Sequence, residues 1–187
     1  LDLFIKQLDY PGALEYFKQA YAIDTSFVWP LYWVCFACWN LGQYAQADSL
    51  VRFLNLRRAQ LTPLQQLWLD DISSWFSGDF MKGLNAMRKA AKIAPGSLQA
   101  TQLGLDAFFA NRPRECIEAY KELDPQHQWV YYWTILAGSY HILEEHEREL
   151  EVIREGRKRF PNDFAAINSE IAALAALGRI DEIKKLI

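Results

Sequence analysis

The chain has 187 residues, about half of them apolar, and a formal charge of −3. That length allows a real core, and that apolar fraction excludes disorder. The slight acidity excludes a broad basic nucleic-acid footprint, and no apolar run approaches the roughly 20 residues that span a bilayer.

The sequence opens on Leu1-Asp2-Leu3-Phe4-Ile5, without an initiator Met and in what reads as mid-helix. It is therefore expected to be a piece of a longer protein. No charged region followed by an apolar stretch marks a signal peptide.

Strand signals are nearly absent, and helical spacing runs throughout. In chain order, helices are expected near 1–8, 11–23, 28–41, 44–59, 63–77, 80–93, 97–110, 113–123, 128–143, 146–160, 163–177 and 180–187. Thr62-Pro63-Leu64-Gln65 reads as a capping box with Pro at the first helical position. Pro95-Gly96-Ser97 ends one helix and offers Ser97 as the next N-cap, and Pro161-Asn162-Asp163 repeats this before the last pair. Asp124-Pro125 cuts a helix short after Leu123.

The turn inside each helix pair returns along the chain. It reads Asp9-Tyr10-Pro11-Gly12, Gly42-Gln43-Tyr44-Ala45 and Gly78-Asp79-Phe80-Met81, then Asn111-Arg112-Pro113, Glu144-Glu145-His146 and Gly178-Arg179-Ile180. Successive copies begin roughly 33–36 residues apart, a spacing that points to stacked helical hairpins. Small residues recur on the second helices (Ala13, Ala20, Ala47, Gly83, Ala90) and the first helices (Cys35, Cys38, Gly104, Ala107, Ala137), each set beside larger apolar partners. Two helices approach closely only where a small side chain admits a larger one.

On these residues the chain resembles the tetratricopeptide repeat (TPR) family over essentially its whole length. The resemblance implies an all-α, right-handed superhelical solenoid of antiparallel helix pairs. It would form one domain of five to six repeats: 1–27 (partial), 28–62, 63–96, 97–129, 130–163 and 164–187 (partial). It also implies that the first helix of each pair lines a concave face. Carrying the groove positions across gives Trp29, Tyr32, Phe36 and Trp39, then Gln65, Trp68, Ile72, Trp75 and Phe76. Further along it gives Thr101, Leu105, Phe108 and Phe109, and finally Tyr131, Thr134 and His141. Of these, Trp29, Tyr32, Phe36, Trp39, Gln65, Trp68, Trp75, Phe76, Phe109 and Tyr131 are taken as partner-binding, with Asn40, Gln99, Gln102 and Asp106 as flanking polar groups. Trp33, Trp129 and Trp133 are assigned to packing. The opposing reading, that the aromatics fill the seams between repeats, stands beside this one.

Little else carries chemistry. Cys35-Phe36-Ala37-Cys38 lacks a redox or zinc context and reads, with Cys116, as structural thiols. His127, His141 and His146 show no metal-ligand spacing, and no nucleotide or hydrolase motif occurs, so no catalytic residue, metal or cofactor is expected. Arg154, Arg157, Lys158 and Arg159 end a helix, where cations favour the dipole.

The expected function is binding of a protein or peptide, not catalysis, with no nucleic-acid contact and no membrane segment in this region. Open solenoid ends also offer a homo-oligomer contact. Two alternatives are a sensor enclosing a small apolar or aromatic ligand and a structural or oligomerising scaffold. Gln60-Leu61-Thr62-Pro63, Ala94-Pro95-Gly96-Ser97 and Asn111-Arg112-Pro113-Arg114-Glu115 are similar to C-terminal TPR regions of bacterial signalling and transcriptional regulators. That similarity implies a docking or sensory module in the cytoplasm, or in the periplasm if the parent protein has a transmembrane segment.

Overall fold

The computed structural model describes residues 9–186, so the helix expected over 1–8 lies outside the described residues. The chain divides after Pro95 into two compact units. The first holds α1 (Tyr10–Ile23), α2 (Pro30–Asn40), α3 (Tyr44–Leu56), α4 (Pro63–Ser77) and α5 (Phe80–Ile93). The second holds α6 (Ser97–Phe109), α7 (Pro113–Lys121), α8 (Val130–Ile142), α9 (His146–Arg159), α10 (Phe164–Ala176) and α11 (Ile180–Ile183). Among the described residues there is no strand, and no helix is long and apolar enough to cross a membrane.

Helix ends follow local chemistry. Thr62 accepts from the Gln65 N–H at 3.3 Å while Gln65 Oε1 accepts from the Thr62 N–H at 3.0 Å, so the expected capping box is formed. Asp9, Asp79 and Asp163 cap α1, α5 and α10 through the N–H groups of Gly12, Lys82 and Ala166. These carboxylates each satisfy a helix donor that has no partner within its helix. The cap expected at Ser97 is shifted by one residue, because α6 begins at Ser97 and Gly96 occupies the N-cap position. α2 starts two residues later than expected, with Pro30 pre-set for the first helical position. α7 stops at Lys121, and Leu123 tucks into the core before Asp124 accepts from the Gln126 N–H. The helix expected from 180 onward ends at Ile183 among the described residues. Lys185 and Leu186 instead donate to carbonyls three residues back.

The repeat is written most clearly in the backbone. A left-handed residue follows α2, α4, α6, α8 and α10, at Gly42, Gly78, Asn111, Glu144 and Gly178, with φ between 56° and 72°. At each of these turns the next residue's N–H reaches a carbonyl five residues back: Gln43 to Cys38, Asp79 to Ser74, Arg112 to Ala107, Glu145 to Tyr140 and Arg179 to Leu174, at 2.7–3.1 Å. This is the Schellman closure, which satisfies carbonyls at the helix end and reverses the chain. Short turns then force neighbouring helices to pack as hairpins.

Within the first unit α2 packs on α1 and α3, and α4 packs on α5 and α3. Within the second unit α6 and α7, α8 and α9, and α9 and α10 are adjacent, and α8 also touches both α6 and α10. Each unit is thus a stack of helix pairs of helical-solenoid type.

Close approach is set by small residues, as the sequence pattern anticipated. A Cβ built on Gly104 of α6 would fall 2.0 Å from the Tyr120 ring of α7, and one on Gly156 of α9 would fall 2.6 Å from Trp133 Cβ of α8. A Cβ on Gly83 of α5 would meet Ser74 Oγ of α4 at 2.3 Å. Ala13 of α1 is buried against Ala37 of α2, ringed by Tyr10, Leu14, Phe17, Trp33 and Phe36.

Glu144 sits in the left-handed region, where an L side chain costs about 1–2 kcal/mol. Glu144→Gly is therefore expected to stabilise the chain by about 1 kcal/mol in urea unfolding, and Asn111→Gly by less, since Asn tolerates this conformation. A destabilised Glu144→Gly would contradict the assignment.

Candidate functional site

The first unit concentrates aromatic side chains between its two first-of-pair helices, α2 and α4. At one end Trp29 stacks on Tyr32 (4.5 Å between ring centres), and Tyr32 meets Trp68 edge-on at 5.9 Å. Trp33 lies 6.5 Å from Trp68 and stacks on Phe17 of α1 at 6.1 Å. At the other end Trp39 makes edge contacts with Tyr44 (5.1 Å), Trp75 (5.8 Å) and Phe76 (5.0 Å), and Trp75 continues to Phe80 at 5.9 Å. Edge-to-face pairs of this kind each add about 0.5–1.5 kcal/mol beyond the area they bury. The ladder therefore seats α2 on α4.

Burial sorts the expected partner-binding residues. Tyr32 is 0 % and Trp68 4 % exposed, so both belong to the core and not to an accessible face. Their spacing of three and four residues suits either role, and the facing aromatics of the neighbouring helix decide it. Ile72 is buried with them. Trp29, Phe36, Trp39, Trp75 and Phe76 are half-buried and keep part of their surface in solvent.

Gln65 is half-buried, and its carbonyl oxygen is committed to the Thr62 cap. Asn40 donates to the Phe36 carbonyl at 2.9 Å. Gln102 and Asp106 are buried and hydrogen-bond each other at 3.1 Å. The flanking polar set is thus largely taken up by local structure.

In the second unit Phe109 and Tyr131 are exposed, and Trp129 lies 5.2 Å from Tyr131. Trp133 is buried over Gly156, as its assignment to packing anticipated. The basic spot is absorbed into ion pairs more than into the helix dipole. Arg154 reaches Glu170 (2.9 Å) and Glu182 (2.6 Å), Arg157 also reaches Glu170, and Lys158 pairs with Glu155. Arg159 donates to the carbonyls of Pro125 and Gln126. Glu170 is buried and holds both arginines, fastening α9 to α10.

One cluster departs from the sequence reading. The turn at Glu144 brings His141, at the end of α8, against His146 and Glu149 at the start of α9. Both Glu149 oxygens lie 2.9–3.0 Å from His141 Nδ1, and His146 Nδ1 lies 2.9 Å from Glu149 Oε2. The two rings are 5.1 Å apart. Glu149 is 2 % exposed, whereas the run Glu147-Arg148-Glu149, like Glu144-Glu145, reads from its alternation with bases as a solvated helix face. Linear spacing failed here because the left-handed turn, not a single helix face, makes the juxtaposition. A His in the last helical turn, a turn residue and a His-x-x-Glu opening the next helix is the signal that could have found it.

A scan against protein-family models found no match, and a search of curated proteins found none either.

Cys35, Cys38 and Cys116 are buried thiols. Cys35 donates to the Ala47 carbonyl at 3.3 Å. Burial, the largest cause, pushes Cys35 up to about 12 and Cys116 to about 11, from an ordinary 9.0. The nucleophile is the thiolate, so all three thiols should react slowly with a thiol reagent in the native chain near neutral pH and rapidly after unfolding. Because the folded state keeps these protons to higher pH, stability should also fall as pH rises from about 9 towards 12. Fast native labelling of Cys35 would revive the redox reading.

Proposed function

We propose that this chain is a TPR-like protein-interaction module, with right-handed stacking of pairs within each unit, acting as the docking or sensory region of a cytoplasmic bacterial regulator. The partner is a peptide segment or protein surface, and the module binds rather than catalyses. The observation that carries this reading is the position of Trp39. It contacts three aromatic rings, which fix it in place, yet it stays only half-buried, as do Phe36, Trp75 and Phe76.

Rigid, partly exposed aromatics give large contact area at small entropic loss and are enriched among residues that dominate interfaces. Their faces suit apolar side chains and the cations of Lys or Arg. The regularly spaced left-handed turns and small-residue contacts support the TPR-like assignment. The similarity of the Gln60–Pro63, Ala94–Ser97 and Asn111–Glu115 segments to regulator regions supports the setting.

The test is selection of a displayed random-peptide library on the whole chain, followed by titration of enriched peptides into variants. A shared apolar or basic motif should emerge. Trp39→Ala should weaken binding by about 2 kcal/mol while keeping a cooperative melt. Trp68→Ala, at a buried position, should instead lose about 3–5 kcal/mol of stability. Peptides that bind Trp39→Ala as well as the parent chain would refute this face as the docking site.

A further inference from the structure

We propose that His141, His146 and Glu149 form a binding site for a divalent transition-metal ion of the zinc class, in the hairpin of α8 and α9. Each residue presents one ligand atom, and these atoms lie within 4.8 Å of one another. Two imidazole nitrogens and one carboxylate oxygen are the donor set that such ions prefer, whereas calcium and magnesium favour all-oxygen sites.

The second observation is the state of the carboxylate. Burying a carboxylate is costly unless charge or hydrogen bonds compensate it. Glu149 is almost wholly buried, and among the described residues its side-chain partners are the two imidazoles. The nearby cations are engaged elsewhere, Arg148 with Glu145 and Arg179 with Glu147 and Glu182. A divalent ion replacing the hydrogen-bonding protons between these atoms would supply the compensating charge.

The fold also gives the site rigidity and access. Glu149 and His146 share the first turn of α9, and the Glu144 turn fixes the end of α8 beside them. His141 has a half-exposed side chain (48 %), so solvent reaches the cluster from its side. An ion with nitrogen ligands at about 2.0–2.1 Å would draw that ring inward, leaving its remaining positions to water. The bound ion would clamp the α8–α9 hairpin. This proposal is independent of the aromatic docking face, which lies in the other unit.

The experiment titrates cobalt(II) and zinc(II) salts into the whole native chain, reading cobalt absorption, zinc calorimetry and the melting temperature. Expected are one ion per chain, a cobalt visible band displaced by zinc, and a higher Tm with zinc. His141→Ala, at an exposed position, should leave the metal-free Tm near that of the parent and weaken binding by at least about tenfold. Glu149→Gln should weaken it similarly, while His127→Ala, removing the third histidine, should bind like the parent. Absence of a cobalt band and of a zinc heat at micromolar chain would overturn the proposal. So would unchanged affinity in a folded His141→Ala.

Discussion

Three hairpins in this chain depend on a glycine at the point where two helices approach. Gly104 lies under Tyr120, Gly156 under Trp133, and Gly83 against Ser74. A helix pair that close buries its apolar stripe and still leaves a second stripe for the next pair. Loss of the glycine would enforce a wider spacing, since interiors are close-packed and do not absorb an added methyl without strain. Glycine is a poor helix former by about 1 kcal/mol. Its presence within three helices is therefore explained by contact rather than by local preference.

In the first unit the spacing has a further consequence. α2 and α4 carry bulky rings towards each other, and two edge-to-face sets, Tyr32 with Trp68 and Trp39 with Trp75 and Phe76, fill the seam between them. Tyr32 and Trp68 are core. Trp39 is held by Trp75 and Phe76, and all three stay partly in solvent, which gives pre-ordered apolar surface. Of the two readings weighed for the aromatics, seam filler holds for Tyr32 and Trp68, and the half-buried rings are the ones left for the proposed binding face.

Much of this was legible in the sequence, for definable reasons. Helix ends were readable where a cap is local, as at Thr62 and Gln65, or where proline sets the start, as at Pro63 and Pro113. The repeat was readable because Gly42, Gly78 and Gly178 each mark a left-handed turn, and Asn111 tolerates one. The burial of Tyr32 and Trp68 was not readable, because helical spacing names a face without naming what covers it. Nor was the His141, His146 and Glu149 cluster, whose members are joined across a turn where glutamate occupies a position that glycine usually fills. The ion pairs of Arg154 and Arg157 with Glu170 likewise reach between helices.

The most direct test of the packing account sets two effects of opposite sign against each other. At an open helical position, replacing glycine by alanine stabilises a helix by about 1 kcal/mol. At Gly156 the new methyl would fall 2.6 Å from the Cβ of buried Trp133, on a neighbouring helix that cannot rotate it away. Urea unfolding of Gly156→Ala should therefore show a loss of about 1–3 kcal/mol, as overpacking predicts. A Gly156→Ala chain as stable as the parent, or more stable, would contradict the claim that close approach at the small residue holds the hairpin together.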